Sequence, residues 1–155
     1  MHRYSSAFRR TWAEIDLGAA RRNFCRIRER AKSSICCVVK ANAYGHGAVA
    51  LARLYESLGA DHLAVASIEE GLELRHGGIT LPVLVLGYTP PACAPLLSGN
   101  DLTQCVFSRA YGEALSDYAR AAGVRVRVHI KLDTGMGRIG FACFEKHSEL
   151  ADAVS

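Results

Sequence analysis

Two stretches of the chain carry an unusual density of groups able to do chemistry: VVKANAYGHG at 38–47 and HIKLDTGMGRIGF at 129–141. In the first, Lys40 follows the almost wholly apolar run ICCVV at 35–39. A lysine emerging from such a run is partly shielded from water and presents an amine that can act as a nucleophile. The plain structural reading is an amine that snorkels to solvent past a strand end. Asn42, Tyr44 and His46 bring polar groups to the same short loop, and Gly45 and Gly47 let the backbone turn sharply there. A phosphate or carboxylate would find donors in that loop.

The elements that must position these stretches follow from periodicity. Asp16 can cap a helix over 17–32, in which Leu17, Ala20, Phe24, Ile27 and Ala31 recur at three- and four-residue steps and one face should be buried. The run 35–39 reads as a strand covered on both sides, delivering Lys40 at its C-terminal end and then a loop. A helix is predicted over 48–58 and a strand over 63–66. Ser67 with Glu70 then has the form of a capping box for a helix to about 75. Next come a strand over 83–86 after Pro82, the loop GYTPP, a short helix through about 97 and a strand over 103–107. Ser108 caps a helix to about 122, Gly123 stops it, and 124–132 is the fifth strand, ending in DTGMGRIG. A last helix should start near Phe144.

Short strands alternating with helices predict an α/β protein with a parallel sheet. The spacing matches the first five or so β/α units of a partial (β/α)8 TIM-type barrel, because a complete barrel takes about 250 residues. An open doubly wound sheet has the same periodicity. In a barrel, functional groups emerge at the C-terminal ends of strands, and both unusual stretches fall there.

Composition bounds the rest. A chain of 155 residues, half of them hydrophobic, fits one soluble domain without a disorder signature. Its net charge of +4 comes from arginines scattered near the start, read as a solvated helix face, so no nucleic-acid partner is expected. No apolar run approaches the ~20 residues that cross a bilayer, and MHRYSSAFRR lacks the apolar segment of a secretory signal. The expectation is a cytoplasmic protein without a membrane partner. The six cysteines form no CxxC pair and read as buried free thiols in a reducing compartment. No paired Cys or His spacing supports a metal.

VVKANAYGHG resembles the pyridoxal-phosphate attachment segment of alanine racemases, TWAEIDLGAARRNF at 11–24 resembles their opening, and HIKLDTGMGRIGF resembles a second segment of the same family. The resemblance runs from about Thr11 to the end. Amino-acid decarboxylases of the same fold type share a shorter VKAN segment and do not usually share the AYGHG that follows. The resemblance implies an N-terminal extension at 1–10 and an incomplete PLP-binding barrel domain at 11–155, with the second half of the barrel and a β-rich C-terminal domain absent. It also implies a cytoplasmic homodimer that interconverts L-alanine and D-alanine, supplying D-alanine for peptidoglycan, with pyridoxal 5'-phosphate as cofactor and a small amino acid as substrate.

Residue by residue, the resemblance makes Lys40 the covalent attachment point and one of the two proton-transfer groups at Cα. Tyr44 matches the tyrosine that contacts the cofactor phosphate, while His46 only orders the loop. Arg138 matches the arginine that reaches the cofactor and the substrate carboxylate, for which a planar five-donor fork suits better than a lysine would. Lys131 matches a position carbamylated in many members, where the modified group holds Arg138; an unmodified Lys131 would set two like charges together. Met136 matches a loop residue near the substrate site of the partner subunit. The family draws its second base, a tyrosine, from the later half of the neighbouring chain. This polypeptide alone is therefore expected to bind the cofactor weakly and not to racemise alanine at a useful rate. A serine racemase of the same architecture and a truncated, non-catalytic PLP-binding protein are the alternatives.

Overall fold

Three of the helices begin where a short polar side chain accepts from an otherwise unpaired backbone N–H. Asp16 accepts from Ala19 N at 3.0 Å to open α1 (Leu17–Arg30). Ser67 accepts from Glu70 N at 3.4 Å to open α4 (Ile68–His76), and Ser108 accepts from Tyr111 N at 3.2 Å to open α6 (Arg109–Ala121). Between them lie the single turn α2 (Lys40–Tyr44), α3 (Ala48–Ser57) and α5 (Ala94–Gly99), the last preceded by a 3-10 turn at Pro91–Cys93. The strands are β1 (Cys36–Val38), β2 (His62–Val65), β3 (Val83–Val85), β4 (Leu102–Val106), β5 (Arg127–Ile130), β6 (Leu132–Asp133) and β7 (Phe141–Ala142). The computed structural model describes residues 11–142. The expected extension at 1–10 and the helix from Phe144 lie outside the described residues.

Five strands form one all-parallel sheet in the order β1-β2-β3-β4-β5. Each parallel neighbour needs a crossover, and α3, α4, α5 and α6 supply the four. The sequential order decides between the two architectures that periodicity left open. A doubly wound sheet reverses its strand order at a switch point, whereas these strands advance in one direction, as in the first part of a (β/α)8 barrel.

Side chains alternate between the two faces of the sheet. Leu63, Val83 and Leu102 stand in register on the helix side, with Val65 and Val85 above them, all essentially fully buried against helical residues that include Leu74, Leu97 and Leu115. On the other face Val38, Ala64, Leu84, Thr103 and Arg127 form one row. Here the structure corrects the reading of 35–39 as a strand covered on both sides: Cys36 and Val38 are exposed, because the helices cover only the opposite face of this edge strand. The buried-thiol reading is corrected likewise. Cys25 and Cys36 are exposed, Cys37 and Cys93 half-buried, and Cys105 alone of the five described cysteines is buried.

Helix α1 also departs from expectation. Phe24 is buried and stacks on Tyr55 with ring centroids 5.5 Å apart, but Leu17 and Ile27 are exposed. Ile27 lines a groove between α1 and β1 with Ala20, Cys36 and Val38, so its apolar face meets an open cleft. The fifth strand is shorter than the expected 124–132: Val124 and Val126 pack on the core without joining the ladder. One further rung, Lys131 N donating to Val106 O at 2.8 Å, carries the chain past the end of β4. Strand β7 has no counterpart in the sequence reading. It pairs in parallel with β6, Leu132 opposite Phe141, so 134–140 must double back.

At the N-terminal end of the sheet, Arg75 of α4 reaches four backbone carbonyls. Its Nε donates to Asn100 O, Nη1 to Ile79 O and Leu81 O, and Nη2 to Asp101 O, all at 2.8–2.9 Å. These residues precede β3 and β4, so one half-buried guanidinium fixes where each of the two strands begins.

Candidate active site

The segment after β1 is a left-handed turn. Ala41, Asn42, Ala43 and Tyr44 have φ of 50–54°, and Gly45 follows at 85°. Its bonds Ala43 N to Val39 O at 2.8 Å and Gly45 N to Ala41 O at 3.1 Å have helical i to i−4 spacing. A left-handed helical residue other than glycine costs roughly 1–2 kcal/mol, so four in succession demand outside support. That support is visible. Asn42 Oδ1 accepts from Ala48 N at 2.8 Å, fastening the turn to α3. His46 Nδ1 lies 2.9 Å from Ala43 O and 3.1 Å from Tyr44 O, and the Ala43 methyl is buried in the core.

The strongest tie comes from α4. Glu70 Oε1 accepts from Ala41 N and Glu70 Oε2 from Ala66 N, each at 2.7 Å. The sequence pattern Ser67 to Glu70 suggested a reciprocal capping box, in which the carboxylate would return to the cap residue's own N–H. Only the serine half forms. The carboxylate instead joins the chain beyond β1 to the chain beyond β2.

Lys40 is half-buried at the start of this turn, its Nζ 6.0 Å from the centroid of the Tyr44 ring, and Tyr44 is 60% exposed. The amine and the phenol thus stand at the surface side by side.

The second segment is organised by Asp133. Its Oδ1 accepts from Gly135 N at 3.0 Å and Gly137 N at 3.1 Å, and Oδ2 from Gly137 N at 2.9 Å. These N–H donors, Gly135 first, hold the carboxyl below the usual carboxylate range. Gly140, at φ 136°, closes the loop where a Cβ would lie 2.8 Å from Asp133 N. The loop presents Met136, 68% exposed, and Arg138, which is exposed and makes no hydrogen bond or ion pair among the described residues. Lys131 is half-buried. By strand alternation it faces away from Ile130, which lines the helix side.

Lys40 follows the C-terminal end of β1, and β5 leads through β6, in a separate two-stranded sheet with β7, into the Arg138 loop. Because every pairing in the five-stranded sheet is parallel, the C-terminal ends of β1 and β5 lie at one end of it. Of Lys40, Tyr44, Lys131, Met136 and Arg138, the structure brings only Lys40 and Tyr44 into mutual contact. Glu70 and Asp133 escaped the sequence reading as site residues. A third feature it missed is an aromatic wall beyond β3 and β4, where Phe107 stacks on Tyr111 at 4.6 Å, Tyr88 leans on both, and the Tyr111 hydroxyl donates to Thr89 O at 2.8 Å.

The donor set suits pyridoxal phosphate. A reachable primary amine can hold an aldehyde, and an exposed phenol hydroxyl beside it can donate to a phosphate. The exposed Arg138 guanidinium, in the loop after β6, can receive a second anionic group.

Sequential parallel strands with a lysine and an arginine beyond their C-terminal ends define the class of (β/α)8-barrel proteins whose chemistry sits at that end of the strands. Within it, the chain belongs to the alanine racemase N-terminal domain family, whose model matches residues 15–155. It is 48% identical over 134 residues to the alanine racemase of Desulfovibrio desulfuricans, covering 85% of this chain and 36% of that one. Among solved structures, the alanine racemase of Clostridium difficile 630 in complex with cycloserine superposes with a TM-score of 0.87 at 41% identity, over 95% of this chain and 40% of that one. A histidine racemase from Leuconostoc mesenteroides superposes with a TM-score of 0.80 at 30% identity, over 88% and 36% respectively. The chain spans little more than a third of the length of these relatives.

Proposed function

We propose that the chain is the cofactor-carrying portion of a pyridoxal-phosphate-dependent alanine racemase. What supports this reading is that Lys40 follows β1 with Tyr44 beside the amine, and that β5, whose C-terminal end lies at the same end of the parallel sheet as that of β1, leads through β6 into the Arg138 loop. When bound, the cofactor would supply an electron sink for the charge left at the substrate Cα. Lys40 Nζ is the attachment point and, when free of that role, takes up or returns the Cα proton from its own side. A positioned base of this kind contributes about 10²–10⁴-fold to rate. Tyr44 Oη donates to the phosphate, and Arg138 orients a carboxylate through paired N–H donors. Carbamylation of Lys131 would replace a cation by an anion at the residue between β5 and β6, ahead of the Arg138 loop, and give that guanidinium a partner. Met136 borders the substrate site of the partner subunit. The same reading makes the whole protein a cytoplasmic homodimer supplying D-alanine to peptidoglycan.

The test is exchange of the alanine Cα proton into deuterated water, with borohydride fixation of the cofactor and peptide mass analysis. The 155-residue chain should fix cofactor weakly at Lys40 and exchange slowly. Any longer product of the same reading frame should do both well, and Lys40→Ala should abolish fixation in each. Full fixation and exchange in Lys40→Ala would refute the reading. The likeness to a histidine racemase favours one further comparison, because a related barrel half serves a different side chain in that protein. Running histidine and serine beside alanine in the exchange assay decides the substrate.

A further inference from the structure

We infer that Glu70 is a positioning residue for Lys40, acting through the backbone of the left-handed turn; this rests on the reading of Lys40 as the cofactor's attachment point. Glu70 touches neither the amine nor the Tyr44 ring. It grips the peptide N–H of Ala41, the residue directly after Lys40, with one oxygen and that of Ala66, just past β2, with the other, both at 2.7 Å. Two strand ends are tied to α4 by a single carboxylate. The arrangement needs two acceptors on one planar group: glutamine would turn one oxygen into an N–H donor facing another donor, and aspartate is a methylene too short. It also needs the tie at this place. Ala41 is the first of five consecutive residues at positive φ, and the other fastenings, Asn42 to Ala48 N and His46 to Ala43 O and Tyr44 O, act further along the turn. Without Glu70, the residue that fixes the direction of the Lys40 side chain loses its one side-chain hold.

The experiment uses the full chain and compares Glu70→Gln and Glu70→Ala with Glu73→Gln, an exposed charge change on the same helix. The first readout is amide hydrogen exchange at Ala41 and Ala66 without cofactor. The second is the rate at which added pyridoxal phosphate becomes fixed at Lys40, followed across pH. Glu70→Ala should raise exchange at both amides by about tenfold or more, the scale expected for losing a bond to a charged acceptor, and should slow fixation by a comparable factor. Glu70→Gln should fall between, and Glu73→Gln should match the parent. Unchanged exchange at Ala41 in Glu70→Ala overturns the inference, as does faster exchange with an unaltered fixation rate and pH profile. If Glu70→Ala does not fold, Glu70→Gln carries both readouts. A parent chain that fixes no cofactor at Lys40 refutes the attachment reading instead; the hold of Glu70 on the turn is then judged by exchange alone.

Discussion

Replacing Ala41 by glycine should reverse the usual sign of such a change. In an ordinary helix, Ala→Gly costs about 0.5–1 kcal/mol, because glycine gives up more backbone freedom on folding. At Ala41 the φ of 50° places an alanine where its Cβ crowds the backbone, a cost of roughly 1–2 kcal/mol that glycine does not bear. The Ala41 side chain is exposed, so little packing is lost. The difference leaves Ala41→Gly between about neutral and 1.5 kcal/mol stabilising. Ala50→Gly, at an exposed position in α3, should destabilise by about 1 kcal/mol. Urea unfolding of parent and both variants, with matched slopes, measures the contrast. Equal losses in the two variants would show that residue 41 does not adopt the left-handed conformation in solution, and the account of how Lys40 is presented would fall with it. A stabilised Ala41→Gly chain should also fix cofactor more slowly, since the turn gains alternatives to the one conformation that aims the amine.

Arg75→Lys should cost about 3 kcal/mol in the same unfolding assay, since one ammonium cannot serve four carbonyls shared between the segments that lead into two strands; a loss below ~1 kcal/mol would contradict that count of bonds. Gly87→Ala should destabilise by about 2–3 kcal/mol, because its Cβ would lie 2.4 Å from Ala66 O; a variant as stable as the parent would mean that β2 and β3 separate beyond their ends. The Arg138 loop should loosen in acid. The folded-state pKa of Asp133 is depressed, so its contribution is complete above the ordinary carboxylate range near ~3.9 and is lost as pH falls through the lowered value. Protection of the Gly135 and Gly137 amides against hydrogen exchange should follow that course, and protection that is flat across this range would exclude the carboxylate as their anchor.

Local chemistry was readable from the chain. Asp16, Ser67 and Ser108 cap helices because the side chain and the N–H it serves lie three residues apart. The apolar runs marked the strands, and Lys40 at the end of one of them marked where reactive groups should emerge. Which face of a strand the helices cover was not readable in ICCVV, where neighbouring residues are alike in polarity and only the sheet's surroundings separate Val39 from Val38. The left-handed turn was hidden for a different reason. The first four of its five consecutive positive-φ residues are not glycine, and Ala41 is held by a carboxylate 29 residues further along. Strand β7 is two residues long and exists through its partner β6, which no periodicity announces. Arg138 could be placed beyond a strand end by pattern alone, but the Asp133 carboxylate that shapes its loop became visible only with coordinates.

Helix α4 links the two ends of the sheet. Near its start an anion takes hold of peptide donors past β1 and β2, and five residues later a cation takes hold of peptide acceptors ahead of β3 and β4. The two holds are separated by about 7.5 Å of helical rise, and each charge sits at the end of the helix dipole that favours it. Four strands are therefore braced by one short strut, and slack introduced at its cationic foot should be felt as wobble in the lysine at its head.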